Sequence, residues 1–251
     1  MSKPRILFFD IETQANKIYA WGKYEQNAIA YAQHWYMISF AYKWHDEKQT
    51  HVKALPDYPK LYKSDPTNDR NLIDDLWKLF DEADVIIAHN GRKFDVKKAN
   101  ARFIKHGMKP PSPYQIVDTR EVAKRYFRFD SNKLDDLGDY LGIGRKINTG
   151  GFELWLGCER GDEESWRKMK RYNKQDVVLL EKVYEHMLPY MTTHPNIGLL
   201  TGNKVACPNC GSLHVHQRGE RVSRTTVHIR FQCQECGSWS SAPKTANAQV
   251  R

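Results

Sequence analysis

Residues 6–13 read Ile6-Leu7-Phe8-Phe9-Asp10-Ile11-Glu12-Thr13. A continuous apolar run passes into alternation, which is the pattern of a buried strand. Side chains two apart on a strand point the same way, so Asp10 and Glu12 share a face. Two acids side by side on an otherwise apolar strand are costly unless a cation neutralises them. For this segment alone, strand-end acids facing water are the plainer alternative.

Further along, Val85-Ile86-Ile87-Ala88 is a second buried run, leading into His89-Asn90-Gly91-Arg92-Lys93-Phe94-Asp95. Asn90-Gly91 marks a turn and places Asp95 at the start of the next helix. That is the carboxyl end of a strand, where ligands gather in open α/β sheets. By itself, Asp95 reads as a first-turn acid complementing the helix dipole. A third piece lies in a helix predicted over residues 163–187, where Met169, Tyr172, Asp176, Leu180, Val183 and Met187 share one face. Asp176 interrupts the stripe that meets the core, where an unpaired aspartate is destabilising or takes up a proton. Tyr172 stands one turn earlier on the same side, and a structural Asp–Tyr hydrogen bond is the simpler reading of that pair.

Around these pieces, residues 35–44 and 50–55 are predicted as a strand hairpin, 57–69 as loop and 71–83 as helix. Helices follow at 94–106, 119–126 and 134–141, with a brief strand at 116–117. Strands first and βα alternation afterwards predict an α/β domain over residues 1–191. Pro195, Gly198 and Gly202 punctuate an expected linker at 192–202. A smaller cysteine-bearing unit is expected at 203–241, and a frayed tail at 242–251.

Composition narrows the function classes. The chain has 251 residues, 40% hydrophobic and 12% aromatic, which excludes general disorder. Mean hydropathy of −0.72 excludes a membrane-embedded protein. Thirty-nine Lys and Arg against 30 Asp and Glu leave +9, a balance suited to a polyanionic partner. The apolar run after Lys3 and Arg5 ends at Asp10, short of the ~7–15 apolar residues of an export signal. A cytoplasmic location, and no membrane partner, are therefore expected.

Four carboxylates on three separated elements suit two hard divalent cations. Such a pair, about 3.5–4 Å apart, clamps the attacking and leaving oxygens of a phosphoryl displacement. Tyr172, with an ordinary pKa near ~10, suits orienting a water better than abstracting its proton.

Phe9-Asp10-Ile11-Glu12-Thr13, His89-Asn90-Gly91-x-x-Phe94-Asp95 and Tyr172-x-x-x-Asp176 resemble the three exonuclease motifs of the DEDD superfamily, over roughly residues 1–190. A tyrosine four before the last aspartate, with Arg171 where the other branch has histidine, resembles the tyrosine branch. The resemblance implies a ribonuclease-H-like mixed sheet flanked by helices, and a 3′→5′ exonuclease using two Mg²⁺ or Mn²⁺ ions. It implies metal ligation by Asp10, Glu12, Asp95 and Asp176, with Tyr172 completing the catalytic set. It also implies that Thr13, Asn90 and Phe94 lie near the terminal nucleotide, with Lys133 and Asp118-Thr119 beside the substrate. The expected substrate is nucleic acid, DNA ahead of RNA and single strands preferred. No polymerase domain is present, so a proofreading role implies a replication or repair protein as partner. Residues 150–162 have no counterpart in the resemblance. A ribonuclease or structure-specific nuclease at the same site, or a non-catalytic binding protein, stays open.

Cys207-Pro208-Asn209-Cys210-Gly211 and Cys233-Gln234-Glu235-Cys236-Gly237 are two matched knuckles, with 22 residues between Cys210 and Cys233. Four thiolates set tetrahedrally suit one structural Zn²⁺, and the pattern resembles a zinc ribbon with a hairpin of 213–217 and 226–231 in the gap. Small phage-encoded exonucleases carrying such a ribbon are similar in outline. Arginine and lysine outnumber acids across 201–251, which suits nucleic acid, although Phe231 and Trp239 equally suit a small core.

Overall fold

The strand quoted above forms β1 (Ile6–Thr13), the centre of a five-stranded sheet. The computed structural model describes residues 3–24 and 27–244. After β1 come β2 (Lys17–Tyr19), β3 (Ala30–Gln33), β4 (Met37–Trp44), β5 (His51–Ala54), α1 (Pro59–Ser64), α2 (Arg70–Glu82), β6 (Val85–Ala88) and α3 (Asp95–Lys105). Then follow β7 (Gln115–Asp118), α4 (Thr119–Tyr126), α5 (Leu134–Tyr140), α6 (Glu153–Glu159), α7 (Glu163–Met187) and α8 (Ile197–Leu200). The chain closes with β8 (Val215–Val222), β9 (Val227–Cys233) and β10 (Trp239–Pro243).

The main sheet has the order β5-β4-β1-β6-β7. β4 runs antiparallel to both β1 and β5, whereas β6 pairs parallel to β1 and β7 parallel to β6. The mixture follows from the connections: a short turn joins β4 to β5, and helices carry the chain back before β6 and β7. This is the expected mixed sheet flanked by helices.

Alternation along β1 divides the core. Leu7, Phe9 and Ile11 pack towards α2 and α3, with Phe9 edge-on to Phe80 at 4.9 Å. Ile6 and Phe8 pack towards α4, α5 and the second half of α7, with Phe8 edge-on to Tyr184 at 5.3 Å. Asp10 and Glu12 continue that second face. Lys43 on β4 pairs with Glu181 on α7, Nζ to Oε1 2.6 Å, and helps fix the helix across the sheet.

Some expectations change. Residues 57–69, expected as loop, begin at the last residue of a 3₁₀ turn (Leu55–Asp57) and contain α1. Asp69 pins this stretch from inside, since its buried carboxylate accepts from Met37 N (2.9 Å) and faces Arg102 and His106. The β2–β3 ribbon and α6 add to the expected elements. Segment 192–202 holds α8, with Ile197 buried. Of the expected tail, Ala242 and Pro243 belong to β10, and residues 245–251 lie outside the described residues. Among the described residues no helix is long and apolar enough to cross a membrane.

Past α8, β10-β9-β8 form a separate antiparallel sheet, longer than the hairpin expected and with a third strand. Its cysteine end packs on the end of α7. Asn209 Nδ2 donates to the carbonyls of Leu188 and Met191, both at 2.9 Å, and lies 3.0 Å from Ser238 Oγ. Asn209→Ala strands those buried carbonyls, at a cost of about 1–3 kcal/mol. Calorimetry should show Tm lower by roughly 2–12 °C. Asn209→Asp, which sets oxygen against the same carbonyls, should cost more. An unchanged Tm in both variants would show that the contact contributes nothing.

Candidate active site and cysteine cluster

The site opens because β1 outruns its neighbour. Parallel pairing with β6 ends at Phe8↔Ile87, while pairing with β4 continues through Asp10↔Ala41 and Glu12↔Ser39. The gap is filled by the 89–94 turn and the first turn of α3. There Ile11 N donates to Asp95 Oδ1 at 3.3 Å. Asp95 is only 3% exposed, so it is an inward-facing group and not a surface first-turn acid.

Local chemistry shapes that turn. Asn90 adopts φ 66°, a left-handed conformation that asparagine tolerates better than most residues. A Cβ on Gly91 would stand 2.5 Å from the Ala88 Cβ, so only glycine lets the turn press against β6. Asp118, at the end of β7, accepts from Asn90 N (2.9 Å) and Arg92 N (3.1 Å) and also caps α4. His89 bridges Thr119 Oγ1 (2.9 Å) and the Asn132 carbonyl (3.0 Å). Burial pushes its pKa down to about 4, so the ring is neutral: Nε2–H donates to the carbonyl and Nδ1 accepts from the hydroxyl.

Carboxylate oxygens of Asp10, Glu12 and Asp176 converge within 4.8 Å of one another. Asp95 is outside that tight group but close enough for its charge to raise the pKa of both Asp10 and Glu12. Asp176 is fully buried, and neither of its oxygens accepts a well-directed hydrogen bond. Its counter-charge is Lys146 Nζ, 2.7 Å from Oδ2 and 4.9 Å from the centre of the Tyr172 ring. Asn173 Nδ2 donates to Asp10 Oδ2 (2.7 Å), and its Oδ1 accepts from Ser39 Oγ (2.9 Å). Trp155 lies edge-on to Tyr172 at 6.2 Å, and its side chain slightly offsets the rise in the Glu12 pKa.

The crowding is plain in the proton affinities. Burial, then the charges of Asp176, Asp95 and Glu12, hold Asp10 well above the carboxylate range. Burial, then Asp176, pushes Glu12 up to about 8. Burial takes Asp95 to about 7, and Asp176 to about 6 despite Lys146. Burial opposes the charge on Lys146, yet Asp176, Tyr172 and Asp10 outweigh it and raise its pKa. Tyr172 is raised by burial and then by Asp176, so it keeps its proton. Buried acids short of positive charge fit hard divalent cations.

The residues expected near substrate are spread around this cluster. Thr13 ends β1, where pairing with β4 slips by a residue. Asn90 turns its carboxamide oxygen to Arg120 Nη1 at 2.8 Å. Phe94 is 40% exposed, with Lys98 Nζ 5.3 Å from its ring centre. Lys133 is exposed at the start of α5. Sequence reasoning missed Lys146, Trp155 and Asn173. Lys146 lies in a glycine-rich loop without periodicity, and Trp155 in the stretch without counterpart. Asn173 was readable, since it precedes Asp176 by three on the same helix.

The four ribbon cysteines also meet, with sulfur atoms within 4.8 Å of one another. Cys207 to Cys236 is 3.7 Å and Cys210 to Cys233 is 3.6 Å. Tetrahedral Zn–S bonds of about 2.3 Å require edges near 3.8 Å, so the donor set fits zinc. All five cysteines are free, and these separations far exceed a disulfide's ~2.05 Å. Cys158 is buried apart from the cluster, its thiol pushed up to about 12 by burial.

A family model of the RNase_H superfamily matches residues 7–188. No curated protein matches the chain. Among solved structures, the family B DNA polymerase from the hyperthermophilic archaeon Pyrobaculum calidifontis is similar, with TM-score 0.54 and 20% identity over 74% of this chain. The chain spans 25% of that polymerase.

Each raised acid binds its proton more tightly folded than unfolded. Between the ordinary carboxylate range and about 8, the folded state therefore carries the extra protons, and stability falls as pH rises. Without added Mg²⁺ or Mn²⁺, Tm should drop by several degrees from about pH 5 to about pH 8. Adding either ion should raise Tm most at the upper end, and Asp10→Asn should flatten the profile. A Tm that rises across this window would contradict the arrangement described.

Proposed function

We propose that this chain, which belongs to the RNase_H superfamily, is a metal-dependent 3′→5′ exonuclease of the tyrosine branch. It hydrolyses the terminal phosphodiester bond of DNA, single strands preferred. The observation that carries this reading is the convergence of Asp10, Glu12 and Asp176 beside Asp95, with Tyr172 one turn from Asp176. The four acids would hold two Mg²⁺ or Mn²⁺ ions, which supply charge neutralisation at the scissile phosphate and activation of water.

The chain's own groups do the positioning. Tyr172 keeps its proton, so its hydroxyl orients the attacking water and does not act as base. Asn173 fixes the Asp10 carboxylate from behind. Lys146 keeps its positive charge beside Asp176, suited to the departing phosphate oxygen. Phe94 offers a half-exposed ring to the terminal base, and Thr13, Asn90 and Lys133 flank its sugar and phosphate.

The similar polymerase acts on DNA, which supports DNA as substrate here and a replication or repair protein as partner. In this reading residues 1–191 form the nuclease domain, and 203–241 a zinc ribbon resembling those of small phage exonucleases. A cytoplasmic setting accords with it. Arg218, Arg221 and Arg224 line the exposed strand end of the ribbon, away from the cysteines, and would hold phosphates.

Degradation of 3′- and 5′-labelled DNA and RNA, with and without Mg²⁺ or Mn²⁺, tests the reading. Shortening from the 3′ end only with metal is expected; internal cuts, or RNA cleaved faster than DNA, would replace it. Asp176→Ala should abolish nearly all turnover with folding intact, and near-normal turnover would overturn the site. Tyr172→Phe should lose roughly 10–10³-fold in rate. A wild-type rate there would leave Tyr172 a packing residue.

Replacing Arg218, Arg221 and Arg224 together by Ala should weaken single-strand binding and make its salt dependence shallower. The slope should fall by roughly 0.7 for each phosphate that the arginines no longer neutralise. An unchanged slope would remove nucleic acid from the ribbon and favour protein docking.

A further inference from the structure

Between Gln14 and His34 the chain leaves the main sheet and forms the β2–β3 ribbon, pairing Ile18↔Tyr31 and Tyr19↔Ala30. Among the described residues no further strand pairs with it, and its aromatic rings are left exposed. Tyr19 is 63% exposed, Trp21 89%, Tyr24 88% and Tyr31 53%, with Ile18 and Ile29 also exposed. A lone two-stranded ribbon is marginal in water, and a concentration of apolar groups on one signals an interaction surface. Ile18 and Tyr31 share one face and Tyr19 points to the other, so both faces carry rings.

The base of the ribbon is fastened to the candidate active site. Gln14 Nε2 donates to the Trp155 carbonyl (3.0 Å), and Trp35 N donates to Asn16 Oδ1 (2.8 Å). Lys17 pairs with Glu159 on α6, the helix that also carries Trp155. β2 begins five residues after Glu12, so the ribbon rises from the acidic end of β1.

We propose that this ribbon is a stacking arm for the single strand approaching the carboxylates, with Tyr19, Trp21, Tyr24 and Tyr31 each offering a ring to a base. The ligand's identity rests on the nuclease reading above. Nucleic acid suits the arm better than a protein surface does, because the rings point to both sides and are spaced by Ala20, Gly22, Ala30 and Ala32. Gaps of that kind admit flat bases, whereas a protein partner needs one continuous face. Segment 14–34 holds two lysines against one glutamate, and Lys17 is already paired. Binding by this arm is therefore stacking rather than phosphate contact, and it is tolerant of sequence.

The test uses the full chain carrying Asp176→Ala, so that bound strands survive, and 5′-fluorescein-labelled oligothymidylates of about 20 and about 4 nucleotides, read by anisotropy. Adding Trp21→Ala and Tyr24→Ala should raise Kd for the longer strand at least about tenfold. The salt slope should stay unchanged, and the shorter strand should lose less than about threefold. Phe at both positions should retain most of the affinity, which separates a stacking role from lost folding. Unchanged affinity for the longer strand would overturn the arm. So would a wild-type dimer, by sedimentation, that becomes monomer in the double variant with strand affinity intact. Degradation of DNA by the wild-type chain, with binding insensitive to the double substitution, would sink the arm and leave the nuclease reading standing. Ring-dependent binding by a chain that degrades neither DNA nor RNA would do the reverse.

Discussion

Like charges drawn out of water repel, and the structure around β1 holds Asp10, Glu12, Asp95 and Asp176 together against that repulsion. The restraint is backbone first. β4 pairs along the whole acidic half of β1, and α3 begins where β6 stops, so the acids stay where they are even though separation would be electrostatically easier. Side chains complete it: Asn173 grips Asp10, the Ile11 amide grips Asp95, and Lys146 supplies a single positive charge for Asp176. Burial first of all, with a single lysine to oppose it, holds three carboxyl groups at about 6 to about 8. A site built in this way is preorganised for cations and destabilised without them.

The same helix serves the carboxylate cluster and the core. The middle of α7 carries Tyr172, Asn173 and Asp176, and its second half fills the core beneath β1 with Val177, Leu180, Val183 and Tyr184. Beyond it, the carbonyls of Leu188 and Met191 receive Asn209 from the cysteine unit. Asn209 lies between Cys207 and Cys210, so a metal that orders that knuckle also orders the contact with the end of α7.

Rigidity and exposure are divided between two regions of the surface. The carboxylate pocket is tied by Asp118, His89 and Asn173, each with two or more hydrogen bonds to separate elements. Among the described residues the β2–β3 ribbon is anchored only at its base and leaves its aromatic rings in water. A fixed carboxylate cluster beside a set of exposed rings accords with the proposed polymer substrate, whose end must be aligned while the rest slides.

Local pattern alone determined the shared face of Asp10 and Glu12, the buried 85–88 strand and its turn, the Tyr172–Asp176 stripe and the two cysteine knuckles. In each case the information is a period of two, a period of about 3.6, or a tight turn, and such periods follow from backbone geometry over a few residues. Asn173 could have been read by the same rule. Tertiary structure alone decided that Asp95 faces inward, that Lys146 is the counter-charge and that Trp155 meets Tyr172. It also decided that the segment after Thr13 leaves the sheet with its rings exposed. Those outcomes join positions far apart in the chain, or depend on where β6 stops relative to β1. Loop closure and strand register, not periodicity, set such contacts.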